Sequence, residues 1–193
     1  MEPISLEGLP ESALLLIDSA PIIHVLEDHS GLAGVFKPVF EAHHKGRVRL
    51  AVTTVTLAEV LTGPLSAHNE ALAERYRATL KSWFVVDLDA EVAESAARLR
   101  AACRLQLVDA VQAASALAIG ADALVTHDRD FSALRDLRLL GIERPRPSPE
   151  KPHAPPQEFR SHGFKSCHPD QLICSGVDPH LAWLSIQASA TKE

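Results

Sequence analysis

The amino-acid sequence predicts an α/β fold, a three-layer sandwich around a mainly parallel central sheet, followed by an irregular proline-rich tail. Four short apolar runs predict its strands: Ala13–Ile17, Leu50–Thr53, Phe84–Val86 and Ala123–Thr126. Runs this short and this apolar are typical of strands buried on both faces of a parallel sheet. Helical patterns separate the runs, and this alternation predicts right-handed crossovers with helices on both sides of the sheet.

The helices are predicted from apolar spacing and from capping residues. Four residues recur at steps of four, three and four and therefore share one helix face: Val92, Ala96, Leu99 and Cys103. A second helix is predicted over Val108–Ile119, because Gly120 follows it as a left-handed C-terminal residue. Pro21 predicts the first turn of another helix, with Asp18 or Ser19 as the N-cap before it.

Proline marks the end of the predicted domain. Six prolines fall within residues 145–156, whereas residues 1–143 contain five in total. This density predicts an extended linker, so we divide the chain into a domain at 1–143, a linker at 144–156 and a tail of unknown role at 157–193. We expect a chain that lacks residues 147–193 to stay folded and to melt cooperatively.

The tail also contains zinc-ligand atoms, in Cys167, His168, Cys174 and His180. Their spacing, Cys-x6-Cys-x5-His, differs from that of the usual paired zinc knuckle, so we do not expect a zinc site there.

Composition and charge exclude several classes of protein. The longest purely apolar run, Ala13–Ile17, is far shorter than the roughly 18 to 20 residues of a membrane-spanning helix. Residues 1–11 carry three glutamates and no Lys or Arg, the opposite of the basic start of a secretory signal. Three cysteines are too few for a disulfide framework. We therefore expect a cytoplasmic protein that does not enter the membrane.

The charge balance argues against tight non-specific binding to nucleic acid by the domain alone. Residues 1–143 hold 13 Lys and Arg against 20 Asp and Glu. Affinity for phosphate comes largely from Lys and Arg that displace counterions. If this protein binds nucleic acid, another source of positive charge has to help.

Carboxylates directly follow two of the predicted strands, at the edge where a parallel sheet forms its binding crevice. Asp18 ends the first apolar run, and Asp128 follows the fourth, with Asp130 two residues further on. The alternative interpretation is local, with Asp18 as a helix cap and Asp128 and Asp130 in an Asx-type turn. Taken singly, none of the three distinguishes a functional site from a cap or turn.

Two further acids lie alone in apolar helical stretches. Glu59 is the only charged residue in 50–69, and an isolated carboxylate in such a setting is costly unless it is ligated or paired. Asp109 lies in the first turn of its helix, where the helix dipole favours an anion, so a purely structural role is open for it. Gathered at one crevice with the acids after the strands, they would repel one another strongly without cations.

A hard divalent cation is the natural partner for such a group. Oxygen ligands without His or Cys among them suit Mg²⁺ or Mn²⁺ rather than Zn²⁺. Such an ion can activate water and stabilise an in-line displacement at phosphorus, and it supplies positive charge that the acidic domain lacks. The candidate metal ligands are Asp18, Glu59, Asp109, Asp128 and Asp130.

The order and the residues of these motifs resemble those of the PIN-domain nucleases, especially the toxin half of VapBC toxin–antitoxin pairs. Four pieces match in order within residues 13–143: Leu15–Ser19, Thr56–Gly63, Leu107–Ala110 and Leu124–Phe131. The resemblance implies a PIN-like sandwich and an endoribonuclease that depends on Mg²⁺ or Mn²⁺, forms a homodimer and is inhibited by a cognate antitoxin. It also implies a set of catalytic acids, namely Asp18, Glu59, Asp109 and Asp128.

Some positions depart from the family pattern or leave a role open. By the pattern Thr-x-Asp the fourth acid is Asp128, but Asp130 also matches how some family members place it. Thr126 resembles the family's hydroxyl residue that helps to hold the acids or water, although a β-branched strand residue is an equal alternative. Ser19 and Arg129 are further candidate supporting residues, Arg129 as a phosphate contact.

The third piece carries a mild variation. Val111-Gln112-Ala-Ala stands on a helix face where family members often show an aliphatic residue followed by two alanines.

The partner surface and the alternatives follow from the same observations. The amphipathic stretch Leu32–Phe40 predicts an apolar face for the antitoxin, unless that face packs in the core.

One alternative function is an inactive PIN-like module that binds RNA or protein. Another is a phosphatase of the haloacid-dehalogenase type, but that group needs a second Asp two residues after Asp18, where this chain has Ala20.

Overall fold

A computed structural model describes residues 2–141, which form the predicted three-layer α/β sandwich. The strands are β1 Ala13–Ile17, β2 Val48–Thr53, β3 Phe84–Val86, β4 Ala123–Val125 and β5 Leu139–Leu140. The helices are α1 Ser19–Leu26, α2 Ala33–His44, α3 Thr54–Ser66, α4 Glu70–Lys81, α5 Ala90–Cys103 and α6 Leu107–Ala118, and a short 3₁₀ helix spans Arg129–Ala133. The strands pair in parallel in the order β3-β2-β1-β4-β5, so the predicted fold class is confirmed.

The predicted elements agree closely with the observed ones. β2 begins at Val48, two residues before the predicted start, and β4 ends at Val125, one residue before the predicted end. Gly120 follows α6 with a φ of 61°, as its predicted left-handed role requires. β5 was not predicted, because two residues are too few to show a periodic pattern.

Alternation along the strands separates two buried clusters, one on each face of the sheet. Leu15 and Ile17 pack into the cluster that α1, α2, α3 and α4 cover. Leu14 and Leu16 pack into the cluster that α5, α6 and the 3₁₀ helix cover. All four side chains are 5% exposed or less, which explains why the first strand is apolar at every position.

The structure overturns the predicted role of the Leu32–Phe40 face. Four of the five apolar residues that define that face are each 2% exposed or less and pack into the first cluster, namely Val35, Phe36, Val39 and Phe40, and the fifth, Leu32, is half-buried. Burying an aromatic or branched side chain contributes about 1.5 to 3 kcal/mol, so this face is better satisfied by the sheet than by a transient partner. The prediction that it offers a docking surface is wrong.

Several predictions lie outside the described residues. They are the boundary near residue 143, the linker at 144–156, the tail at 157–193 and the cysteine and histidine residues within it. Within residues 2–141, none of the helices combines the length and the apolar character needed to cross a bilayer.

Candidate functional site

The neighbouring strands β1 and β4 bring two of the predicted acids together. Ile17 pairs with Val125 at the ends of these strands, and the backbone N–H of Asp18 donates to the carbonyl oxygen of Val125 at 3.0 Å. Thr126 Oγ1 donates to Asp18 Oδ2 at 2.8 Å, and it accepts from the backbone N–H of Asp128 at 3.0 Å. The hydroxyl of Thr126, which is fully buried, therefore links the side chain of Asp18 to the backbone of Asp128.

Asp18 is both a helix cap and a member of the candidate site. Its Oδ1 accepts from the backbone N–H of Ser19 at 2.8 Å, which confirms the capping interpretation. A carboxylate offers about four acceptor positions, so these two hydrogen bonds leave positions for another ligand. Burial raises the pKa of Asp18 above its ordinary value, although the hydrogen bonds from Thr126 and Ser19 act in the opposite direction.

α6 places Asp109 next to both acids that follow β4. One carboxylate oxygen each from Asp109, Asp128 and Asp130 lies within 4.8 Å of the others. Asp128 Oδ1 also accepts from the backbone N–H of Asp130 at 2.8 Å, which is the Asx-type turn of the local interpretation. The structure therefore gathers both candidates for the fourth acid at the same cluster rather than choosing between them.

The environment of Asp109 reflects this crowding. Burial, followed by the charges of Asp128, Asp18, Asp130 and Glu59, raises the pKa of Asp109 to about 6. Asp18 and Glu59 therefore act on Asp109 through their charge, although neither belongs to the group of oxygens that lie within 4.8 Å of one another.

Glu59 reaches this region from the middle of α3, where it has no role as a cap. The side chain is half-buried, and its Oε2 is inaccessible to solvent yet has no hydrogen-bond partner in the part of the chain that the structure describes. A buried carboxylate oxygen without a donor is costly. Among the acids, Glu59 is therefore the one with a buried oxygen that a bound cation would satisfy.

The contacts of the other predicted residues, Ser19 and Arg129, do not by themselves assign them a role at the acid cluster. Ser19 contributes its backbone N–H to Asp18, and Arg129 is exposed at the start of the 3₁₀ helix, next to Asp128. His127, which lies between Thr126 and Asp128 and is not one of the predicted residues, is half-buried, and its ring packs edge-on against Phe36 with centroids 6.3 Å apart. The structure therefore gives the His127 ring a packing contact.

The donor set fits a hard divalent cation. The five acids present only oxygen, they come from four separate segments of the chain, and Glu59 Oε2 lacks a donor within residues 2–141. Mg²⁺ and Mn²⁺ prefer such oxygen ligands and would offset the repulsion that raises the pKa of Asp109.

Asp109 should make the stability of the metal-free protein depend on pH. Its folded pKa of about 6 exceeds the ordinary value of 3.8, so the folded state binds this proton more tightly than the unfolded chain does. The resulting stabilisation is complete below about pH 4 and is lost as the pH rises through about 6. Since the group is only half-buried, we expect a loss on the order of 1 kcal/mol.

Urea denaturation in EDTA measures this effect when wild type and Asp109→Asn are compared between about pH 4 and pH 7. Asp18 titrates in the same direction in both proteins, so the difference between them reports Asp109 together with its coupling to the neighbouring acids. A difference that stays constant across this range would contradict the assigned pKa.

Known proteins that match this chain have the same fold. Residues 15–137 match the PIN domain family. No curated protein matches the chain in sequence. A toxin–antitoxin complex from Klebsiella pneumoniae is similar in structure, with a TM-score of 0.52, 22% identity, and a match over 67% of this chain and 95% of that one.

Two further solved structures show the same architecture. VapBC2 from Rickettsia felis, bound to a DNA fragment from their promoter, has a TM-score of 0.53 and 18% identity over 65% of this chain and 96% of that one. VapC20 from Mycobacterium tuberculosis, a toxin that cleaves the sarcin-ricin loop, has a TM-score of 0.52 and 18% identity over 62% of this chain and 93% of that one. At these identities the likeness establishes the fold.

Proposed function

Because the chain belongs to the PIN domain family, we propose that it is a metal-dependent endoribonuclease, the toxin component of a toxin–antitoxin system that acts in the cytoplasm. The observation that carries this proposal is the cluster formed by Asp109, Asp128 and Asp130, whose carboxylate oxygens lie within 4.8 Å of one another. The orphaned Oε2 of Glu59 supports it, because a buried carboxylate oxygen without a donor within residues 2–141 is the environment that a cation would satisfy.

The proposed ligands divide into a core and two flanking acids. Asp109, Asp128 and Asp130 form the core, because their oxygens already lie within 4.8 Å of one another. Asp18 and Glu59 approach from β1 and α3. When bound, Mg²⁺ or Mn²⁺ would lower the pKa of a water and stabilise negative charge that develops at an RNA phosphodiester during in-line attack.

The chain's own residues would orient this chemistry. Thr126 fixes Asp18 through its hydroxyl and fixes the backbone of Asp128 through the same oxygen, so these acids keep one relative placement. The Asx-type turn between Asp128 and Asp130 does the same for the next acid. Arg129 is exposed beside them and offers a positive charge to the phosphate backbone of the substrate.

A cognate antitoxin is the proposed protein partner. The similar structures from Klebsiella pneumoniae and Rickettsia felis are toxin–antitoxin complexes, which supports this part of the proposal. Leu107 is 58% exposed and Val108 is 38% exposed, directly before Asp109, so apolar surface is available next to the acids. We also propose a homodimer, which light scattering at micromolar concentration would test and a strictly monomeric mass would contradict.

Removing divalent metal should abolish cleavage of RNA by the wild-type protein. We expect activity with Mg²⁺ or Mn²⁺, none with EDTA, and recovery when the metal is added back in excess, because the carboxylates alone cannot neutralise a phosphodiester. Gel analysis of end-labelled RNA under these conditions measures the effect. Binding of RNA without cleavage in any metal would instead favour the inactive module, and cleavage that persists in EDTA would contradict the metal-dependent mechanism.

A further inference from the structure

A buried polar network joins α6 to the end of β2 and the start of α3. Gln112 and Thr56 are fully buried, and Thr53 is 1% exposed. Thr53 Oγ1 donates to Gln112 Oε1 at 3.2 Å, and Gln112 Nε2 donates to Thr56 Oγ1 at 2.6 Å. The ring closes between the two hydroxyls, which are 3.1 Å apart, and the backbone N–H of Thr56 also donates to Thr53 Oγ1 at 2.9 Å.

Burying the amide of a glutamine at this position costs free energy that an aliphatic side chain would not cost. We therefore expect the network to do more than fill space. A buried amide needs partners for both its oxygen and its nitrogen, whereas an aliphatic side chain of similar size would need none. The residues next to Gln112 along α6 are apolar, with Val111, Ala113 and Ala114 all buried. Unlike an aliphatic side chain, the amide forms directional hydrogen bonds, which link α6 to α3 in one defined geometry.

The link lies one helical turn away from two of the candidate metal ligands. Thr56 precedes Glu59 by three residues on α3, and Gln112 follows Asp109 by three residues on α6. Residues three apart on a helix share a face, so each end of the hydrogen bond between Thr56 and Gln112 lies on the same helix face as one of the two acids. Outside this link, α3 packs mainly against α4 and α1, and α6 packs mainly against α5.

We propose that Gln112 is a positioning residue that fixes α3 relative to α6 and so holds Glu59 and Asp109 in one relative placement for binding a divalent cation. The two acids repel each other, and without the link this repulsion would act on two helices that have their main packing partners elsewhere. Residues that orient metal ligands through hydrogen bonds contribute to metal affinity without touching the ion. The inference rests on the proposed function, because it needs a cation at the acid cluster.

Gln112→Leu tests the proposal, since it removes both hydrogen bonds and keeps most of the volume. Calorimetric titration of the full chain with Mn²⁺ alone should show a dissociation constant raised by about tenfold, the lower end of what such supporting residues contribute. The increase in melting temperature that Mn²⁺ causes should shrink accordingly. Neither readout requires RNA or catalytic turnover.

Two companion variants separate positioning from simple stabilisation. The double variant Thr56→Val with Gln112→Leu replaces the linked groups by apolar ones, which keeps the buried region satisfied while the link stays absent. It should bind Mn²⁺ as weakly as the single variant. If the single variant is unfolded, the Mn²⁺ affinity of the double variant tests the proposal instead. Ser115→Ala is the matched control, because Ser115 is buried one turn further along α6 and its hydroxyl makes no hydrogen bond within residues 2–141. It should bind Mn²⁺ like wild type.

The outcomes are distinguishable. Wild-type affinity in a folded Gln112→Leu protein or in the double variant would overturn the inference and leave the network with a packing role only. Weaker binding in Ser115→Ala as well would overturn it too, because any change in this face of α6 would then suffice. A wild-type protein that binds no Mn²⁺ would contradict the proposed function itself, and the inference would fail with it.

Discussion

Replacing Asp109 with asparagine should abolish Mn²⁺-dependent cleavage of RNA while the metal-free protein stays as stable as wild type or becomes more stable. Asparagine keeps the size and shape of the side chain but removes the charge that would hold the cation. We expect the cleavage rate to fall by more than about 100-fold, because even residues that only support a metal ligand contribute 10- to 100-fold. Asp18→Asn should act in the same direction.

Stability should move in the opposite direction because the acids repel one another without metal. The charges of Asp128, Asp18, Asp130 and Glu59 all raise the pKa of Asp109, and its neutral replacement relieves that repulsion at neutral pH. Rates of RNA cleavage in Mn²⁺ and melting curves in EDTA, measured on the same preparations, check both halves of the prediction.

Asp122→Asn is the matched control for this substitution. Asp122 lies just before β4, at the opposite edge of the sheet, where its Oδ2 accepts from the backbone N–H of Leu14 at 2.8 Å. An asparagine oxygen can accept the same hydrogen bond, so cleavage should stay close to the wild-type rate. Equal activity of Asp109→Asn and Asp122→Asn would show that the acid cluster is not the active site.

Replacing Gly141 with alanine should lower the free energy of unfolding by about 3 kcal/mol. Gly141 has a φ of 102°, which a side chain rarely adopts. A Cβ there would lie 2.5 Å from the carbonyl oxygen of Thr126 and 2.7 Å from Cε1 of Phe36. Neither neighbour can yield easily, because Phe36 is fully buried and the backbone of Thr126 is hydrogen-bonded to Leu140.

Gly63→Ala provides the comparison in urea denaturation. Gly63 lies inside α3, no atom lies within 4 Å of where its Cβ would be, and its φ is not positive. Alanine is the better helix former, so this variant should gain about 0.5 to 1 kcal/mol. If Gly141→Ala were as stable as wild type, the close approach of Gly141 to Thr126 would not be a constraint on the fold.

The sequence by itself determined the features that depend on neighbours along the chain. A strand buried on both faces has to be apolar at every position, so the run Ala13–Ile17 predicts β1 without knowledge of its partners. Asp18 could be placed at the N-terminus of α1, because capping depends on the next few residues. The isolation of Glu59 among apolar residues likewise indicated an acid in need of a partner.

Only the tertiary structure decided the features that depend on contacts between distant segments. The Leu32–Phe40 pattern shows an apolar face, but it does not say whether a sheet or a partner protein covers that face. The hydrogen bonds from Thr126 to Asp18 and from Gln112 to Thr56 join residues 108 and 56 positions apart. Local periodicity reflects burial and not which distant group supplies a hydrogen bond, so only the folded structure shows the hydrogen bond that joins α3 to α6.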